Sequence, residues 1–129
     1  MSQSFNIEII SPEKKLLSEK VSSVIIPAYE GEMTILSNHI PLITFLKPGI
    51  IQIDENSEKK YFVEDGTVEF SENNLIILSP TIIGLKNLSK KKIDKILEES
   101  KYKLSKNDLD DKTRYILSHK IDCLLRINL

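Results

Sequence analysis

Few side chains in this sequence have the type and spacing that chemistry needs. Glu30 and Glu32 flank Gly31 at a separation where two carboxylates could work as an acid pair; without a cleft and a polarised partner they read as an exposed acidic turn. His39 lies in a proline-containing loop and His119 in a helical stretch, and neither has the HxH or HExxH neighbour of a metal site. A general base needs a positioned partner, so His39 is expected to be a hydrogen-bonded turn residue. Cys123 is the single cysteine, which permits no internal disulfide and no cysteine zinc cage; on the apolar side of a helix it reads as a small core residue. Lys90-Lys91-Lys92 is a basic run with no interleaved aromatics for base stacking, so nucleic acid is not an expected partner. Three cations at the positive end of a helix dipole are mildly unfavourable, which suits an element that meets an acidic partner. No catalytic residue, metal or cofactor is expected.

Composition agrees. The chain has 129 residues, 40% apolar and 29% charged, enough for one domain with an appendage and too few for a multidomain enzyme. No run reaches the ~20 apolar residues needed to span a bilayer. The opening Met1-Ser2-Gln3-Ser4-Phe5 lacks the basic stretch and apolar segment of an export signal. A net charge of −1 hides an asymmetry. Residues 1–85 carry six lysines against twelve carboxylates, a net of −6; residues 86–129 carry twelve cations against seven carboxylates, a net of +5. Opposite signs on two regions suggest two surfaces with different partners, or an attraction between the halves.

The elements that must position these residues change character near Gly84. Before it, Phe5, Ile7 and Ile9 alternate with polar neighbours, as do Ile51 and Ile53, and turn signals recur at Ser11-Pro12, Glu30-Gly31, Ser37 to Pro41, Lys47-Pro48-Gly49, 54–60 and Asp65-Gly66. Short strands between frequent turns predict a mainly β domain, a β-sandwich or flattened barrel over 1–85. After it, Ser89 is a good helix N-cap, followed by Ile93, Ile96, Leu97 and Leu104, a stripe thinned by Ser100. Asn107 or Asp108 is expected to start a second helix, with Leu109, Thr113, Ile116, Leu117, Ile121, Leu124 and Ile127 on one face. Residues 86–129 thus form an α appendage, an antiparallel two-helix hairpin joined at Ser105 to Asn107. One apolar stripe cannot offset the entropy of ordering about 40 residues, so the hairpin must dock on something.

The order of parts resembles the epsilon subunit of F-type ATP synthases. The matching residues are Gly31-Glu32-Met33-Thr34-Ile35-Leu36-Ser37-Asn38-His39-Ile40-Pro41-Leu42, then Leu46-Lys47-Pro48-Gly49, with Phe62 to Phe70 and the opening Ser11-Pro12-Glu13-Lys14 in support. The resemblance covers essentially the whole chain. It implies a non-catalytic rotor subunit whose β-sandwich meets the gamma subunit and the ring of c subunits, linking them and coupling proton transport to ATP synthesis. A loop carrying Glu30, Gly31, Glu32 and His39 would face the ring. The hairpin would be able to leave the sandwich, and its basic face would then contact an acidic segment of the catalytic beta subunit and inhibit ATP hydrolysis. Lys90, Lys91, Lys92, Lys101, Lys103, Arg114, Lys120 and Arg126 are the candidates for that contact.

Two departures matter. Thr34 and Asp65 stand where the family often has glycine. The ATP-binding segment of some bacterial members, Ile/Leu-Asp-x-x-Arg-Ala, is replaced by Leu88-Ser89-Lys90-Lys91-Lys92-Ile93, so no nucleotide site is expected. The resemblance places the chain peripherally at the cytoplasmic face of a bacterial inner membrane, reached only through the complex; a plastid-encoded chain would read the same way. The competing classes are a free-standing sandwich that binds peptide or carbohydrate, which would need an exposed aromatic platform, and an enzyme, which would need a converging cluster of reactive groups.

Overall fold

The computed structural model describes residues 3–55 and 58–127. Residues 56 and 57 of the polar loop expected at 54–60 lie outside the described residues, as do Met1, Ser2 and the last two positions of the helical unit.

Among the described residues, ten strands run from Phe5 to Gly84: β1 (Phe5–Ile10), β2 (Lys15–Val21), β3 (Ser23–Ala28), β4 (Gly31–Leu36), β5 (Leu42–Leu46), β6 (Gly49–Ile53), β7 (Lys60–Val63), β8 (Gly66–Ser71), β9 (Asn74–Leu78) and β10 (Ile83–Gly84). They form one sheet in the order β10-β7-β6-β3-β5-β8-β9-β1-β2, with β4 on β3. All pairings are antiparallel except β1 with β9. The sheet curls because β3 serves three neighbours. One edge pairs with β4 from Ser23 to Ala28, while on the other edge Val24 and Ile25 pair with β6 and Ala28 with β5. This curled, sandwich-like sheet is the β domain expected from the turn spacing.

Period-two alternation sends Phe5, Ile7 and Ile9 of β1 inward, where they join Val24, Ile26, Ile35, Val68 and Ile77 in the main core. Phe5 and Phe70 meet edge to face at 5.6 Å, a favoured aromatic geometry. Gly66 opens β8 at φ +155, and a Cβ there would sit 2.5 Å from the Leu78 carbonyl oxygen, so backbone approach requires glycine. The expected turn glycine at Asp65 is not needed, because Asp65 has no positive φ and only Gly66 does.

Beyond a short 3-10 turn at Leu85–Asn87 come α1 (Lys90–Leu104) and α2 (Asp111–Arg126). Ser89 caps α1, its hydroxyl accepting from the Lys92 amide. The second helix starts later than expected: Asp110, not Asn107 or Asp108, is its cap, accepting from the Thr113 amide at 2.7 Å, and the connector runs to residue 110. Asp110 wins because its carboxylate reaches the free amide three residues on while Asp111 adds charge to the first turn. That cap leaves Thr113 exposed, so the buried face is Leu117, Ile121 and Leu124.

Ser100, which thins the α1 stripe, is 1% exposed and donates to the Ile96 carbonyl at 2.7 Å. Because α1 packs chiefly on α2, this small satisfied side chain sits in the helix seam, where a larger one would hold the helices apart. The hairpin does dock. Leu88, Ile93 and Leu124 bury against Phe62 of β7, with Ile50, Ile83, Cys123 and Ile127 around them, in a second core between the sheet and both helices.

Candidate interaction surfaces

The acidic turn is built by the β3–β4 hairpin. Ala28 pairs with Gly31, leaving Tyr29 and Glu30 as a two-residue turn, and Gly31 at φ +138 adopts a backbone angle that side chains with a Cβ rarely accept. Glu30 and Glu32 are both exposed; the Glu30 carboxylate accepts from the buried Thr44 hydroxyl at 3.0 Å, which fixes the turn's direction.

His39 is not part of this turn. Residues 31–36 are extended as β4, so its two ends lie about 17 Å apart at ~3.3 Å per residue. The single ring-facing loop expected to carry Glu30, Gly31, Glu32 and His39 is therefore two sites at opposite ends of a strand. At its own end His39 is a turn residue: its amide donates to the Leu36 carbonyl, its Nδ1–H donates to the Ile40 carbonyl at 2.8 Å, and its ring stands edge-on to Phe70.

Of the basic candidates, Lys90, Lys91, Lys92, Lys101, Lys103, Arg114 and Arg126 are exposed. Lys92 Nζ donates to the Asn87 carbonyl, and Arg114 reaches the Lys106 carbonyl at 3.5 Å. Lys120 differs: its side chain is 12% exposed and ion-paired with Glu64 in the β7–β8 turn. Elsewhere on α2, Lys47 lies 5.9 Å from the Tyr115 ring, Lys112 lies 5.7 Å from the Tyr29 ring, and Tyr115 stacks on His119. Cys123 is half-buried in the second core, and burial pushes its thiol up against a smaller opposing pull from Arg126. Among the described residues no three His, Cys, Asp or Glu side chains converge as metal ligands, and no helix is long and apolar enough to cross a membrane.

Sequence reasoning missed one surface. Ile43 and Phe45 of β5 point outward, 76% and 59% exposed. Cross-strand pairing continues their face through Thr67 and Glu69 of β8 to Ile76 and Leu78 of β9. The signal was present in Leu42-Ile43-Thr44-Phe45-Leu46, which lacks the outward polar alternation usual in an antiparallel strand with one face in water. The positions that match the degraded nucleotide segment have other work, Leu88 in the second core and Ser89 as the α1 cap.

Residues 4–84 match the family model described as ATP synthase, Delta/Epsilon chain, beta-sandwich domain. The ATP synthase epsilon chain of Pelagibacter ubique (strain HTCC1062) is 46% identical over 130 residues, covering 99% of this chain and all of that one. The chain belongs to the ATP synthase epsilon family.

A second epsilon chain, from Allorhizobium ampelinum, is 39% identical over 113 residues, 86% of this chain and 80% of its own length. Two solved structures share the fold. A chain of the Euglena gracilis mitochondrial ATP synthase (OSCP/F1/c-ring) superposes with a TM-score of 0.74 at 22% identity, covering 97% of this chain and 81% of that one. A chain of the Tetrahymena thermophila mitochondrial ATP synthase central stalk and c-ring gives 0.68 at 16%, covering 97% and 96%. The epsilon fold is thus kept at low identity, helical hairpin included.

Proposed function

We propose that this chain is a non-catalytic rotor subunit of a proton-translocating F-type ATP synthase, linking the gamma subunit to the c ring and coupling proton transport to ATP synthesis. The observation that carries the reading is the outward face on which Ile43 and Phe45 of β5 and Ile76 and Leu78 of β9 flank Thr67 and Glu69 of β8. With its inner face already on the core, a sheet that exposes Ile43 and Phe45 this far needs a second protein. Gamma is the partner assigned to that face. Glu30, Gly31 and Glu32 form the ring-facing turn, exposed acids on a rigid backbone that give register against basic groups of the ring loops. His39, a strand length away, serves its own loop.

The hairpin is the regulatory part. Lifted from the sheet, its basic residues would meet an acidic segment of the catalytic beta subunit and inhibit hydrolysis. The assembly places the chain peripherally, on the cytoplasmic face of a bacterial inner membrane. Two experiments test this. Affinity capture of the chain from its own cells is expected to recover gamma with alpha and beta, and recovery of none of them overturns the reading. Hydrolysis by the assembled enzyme is expected to rise when residues 86–129 are removed; unchanged hydrolysis restricts the chain to assembly and coupling.

A further inference from the structure

We propose that the Lys120–Glu64 ion pair is the latch that holds the helical hairpin on the sheet, and that it withholds Lys120 from any external carboxylate until the hairpin lifts. The inference deepens the regulatory reading above, and rests on it for the lifting of the hairpin and for the identity of the external acid.

Three observations carry it. First, α2 lies against β6 and supplies Leu124 to the seam, while α1 packs chiefly on α2 and adds Ile93 to the same apolar contact with Phe62. Secondly, the polar contacts of α2 with the strands are unequal. Tyr115 and Lys112 make long contacts with Lys47 and Tyr29, whereas Lys120 is a direct ion pair and the one partly buried cation among the eight candidates. Thirdly, Glu64 is preorganised. Its amide donates to Thr81 Oγ1 at 3.0 Å, Thr81 donates to Asp65 Oδ1 at 3.1 Å, and the Ser79 hydroxyl, on a residue 2% exposed, donates to the Asp65 carbonyl at 2.6 Å.

The backbone that carries the Glu64 carboxylate is thus already ordered, so only side-chain rotamer entropy is lost on meeting the cation. Removing it strands a shielded ammonium in the docked state, whereas in the lifted state water solvates Lys120 fully. The cost therefore falls on docking alone. Salt acts in the same direction, since Glu64 is 33% exposed and open to screening. One ammonium cannot serve Glu64 and a partner's acid together, so Lys120 is the cation whose availability reports that the hairpin has lifted.

The full chain carries its own probe. Cys123 is the single thiol and is half-buried in the docked seam, so its rate of reaction with Ellman's reagent reads hairpin lifting. Glu64→Gln and Lys120→Gln are each expected to speed the reaction about fivefold, and high salt should speed wild type more than either variant. The charge swap Glu64→Lys with Lys120→Glu should return the rate toward wild type. Poly-glutamate should accelerate wild type and have no further effect on Lys120→Gln. Equal rates in wild type and both single variants overturn the latch, as does a swap that stays as fast as Glu64→Gln. Poly-glutamate without effect on wild type overturns the competition. No other subunit is present, so these results are separate from whether the chain assembles into the synthase, which affinity capture decides.

Discussion

Asn38 and Asn73, both in the left-handed region at φ 66 and 58, clasp each other across one end of the sheet: the Asn38 amide donates to Asn73 Oδ1 at 2.7 Å, and Asn73 Nδ2 donates to Asn38 Oδ1 at 3.1 Å. The Asn73 carbonyl also accepts from the Asn6 amide. The loop that carries His39 is thereby tied to the β8–β9 turn. Asparagine suits both demands, since it tolerates the left-handed region and supplies donor and acceptor. Asn73→Ala is expected to lower stability by about 1–3 kcal/mol. Asn73→Gly should recover about 1 kcal/mol of that by relieving the backbone alone. Urea unfolding of the three proteins measures both differences.

Gly66→Ala has a different cause and a larger expected effect. The new methyl would meet the Leu78 carbonyl oxygen at 2.5 Å and the Ser79 Cβ at 3.0 Å, at a backbone angle that already disfavours a side chain. Strain and displacement together should cost about 2–4 kcal/mol in urea unfolding. The same substitution at Gly31, where nothing lies within 4 Å, bears the backbone penalty alone and should cost less.

The start of α2 should be sensitive to acid. Hydrogen bonds from Thr113 hold the Asp110 carboxyl below its ordinary 3.8. A lowered folded value means the cap's contribution is whole above 3.8 and is lost as the pH falls through the lowered value. Amide exchange at Thr113 should accelerate across that acidic window. Asp110→Asn keeps a good capping oxygen and should abolish the pH dependence without abolishing the helix start.

Ile43→Ser and Phe45→Ser test the surface proposed to face gamma. Both side chains are largely in water, so stability should change by no more than about 0.5 kcal/mol. Affinity for purified gamma should fall at least about tenfold for Phe45→Ser if the aromatic anchors the contact. Unchanged affinity in both variants would remove this face from the proposed interface.

The sequence was legible wherever one local rule acted alone. Alternation in Phe5-Asn6-Ile7-Glu8-Ile9 sufficed for β1, and Ser89 for the start of α1. It was illegible where local rules competed or where pairing was distant. Asn107, Asp108 and Asp110 are all acceptable caps, and only the position of the Thr113 amide separates them. Ser100 looked like a defect in the stripe and is a spacer in the seam. Glu30 and His39 stand nine positions apart and read as one loop until extended backbone puts them at two ends of β4. Glu64 and Lys120 belong to different units, and nothing in their local surroundings announces the pair.

Because β3 is a rung in three ladders, the two halves of the sheet have a common keystone. Neither half can come apart without breaking the other's hydrogen bonds, so heating should melt the strands in a single cooperative step. The helices share none of those ladders and rest on the sheet mainly through α2, so calorimetry should find them melting first, as a small separate shoulder. A subunit built this way would shed its helical arm before its sheet gives way.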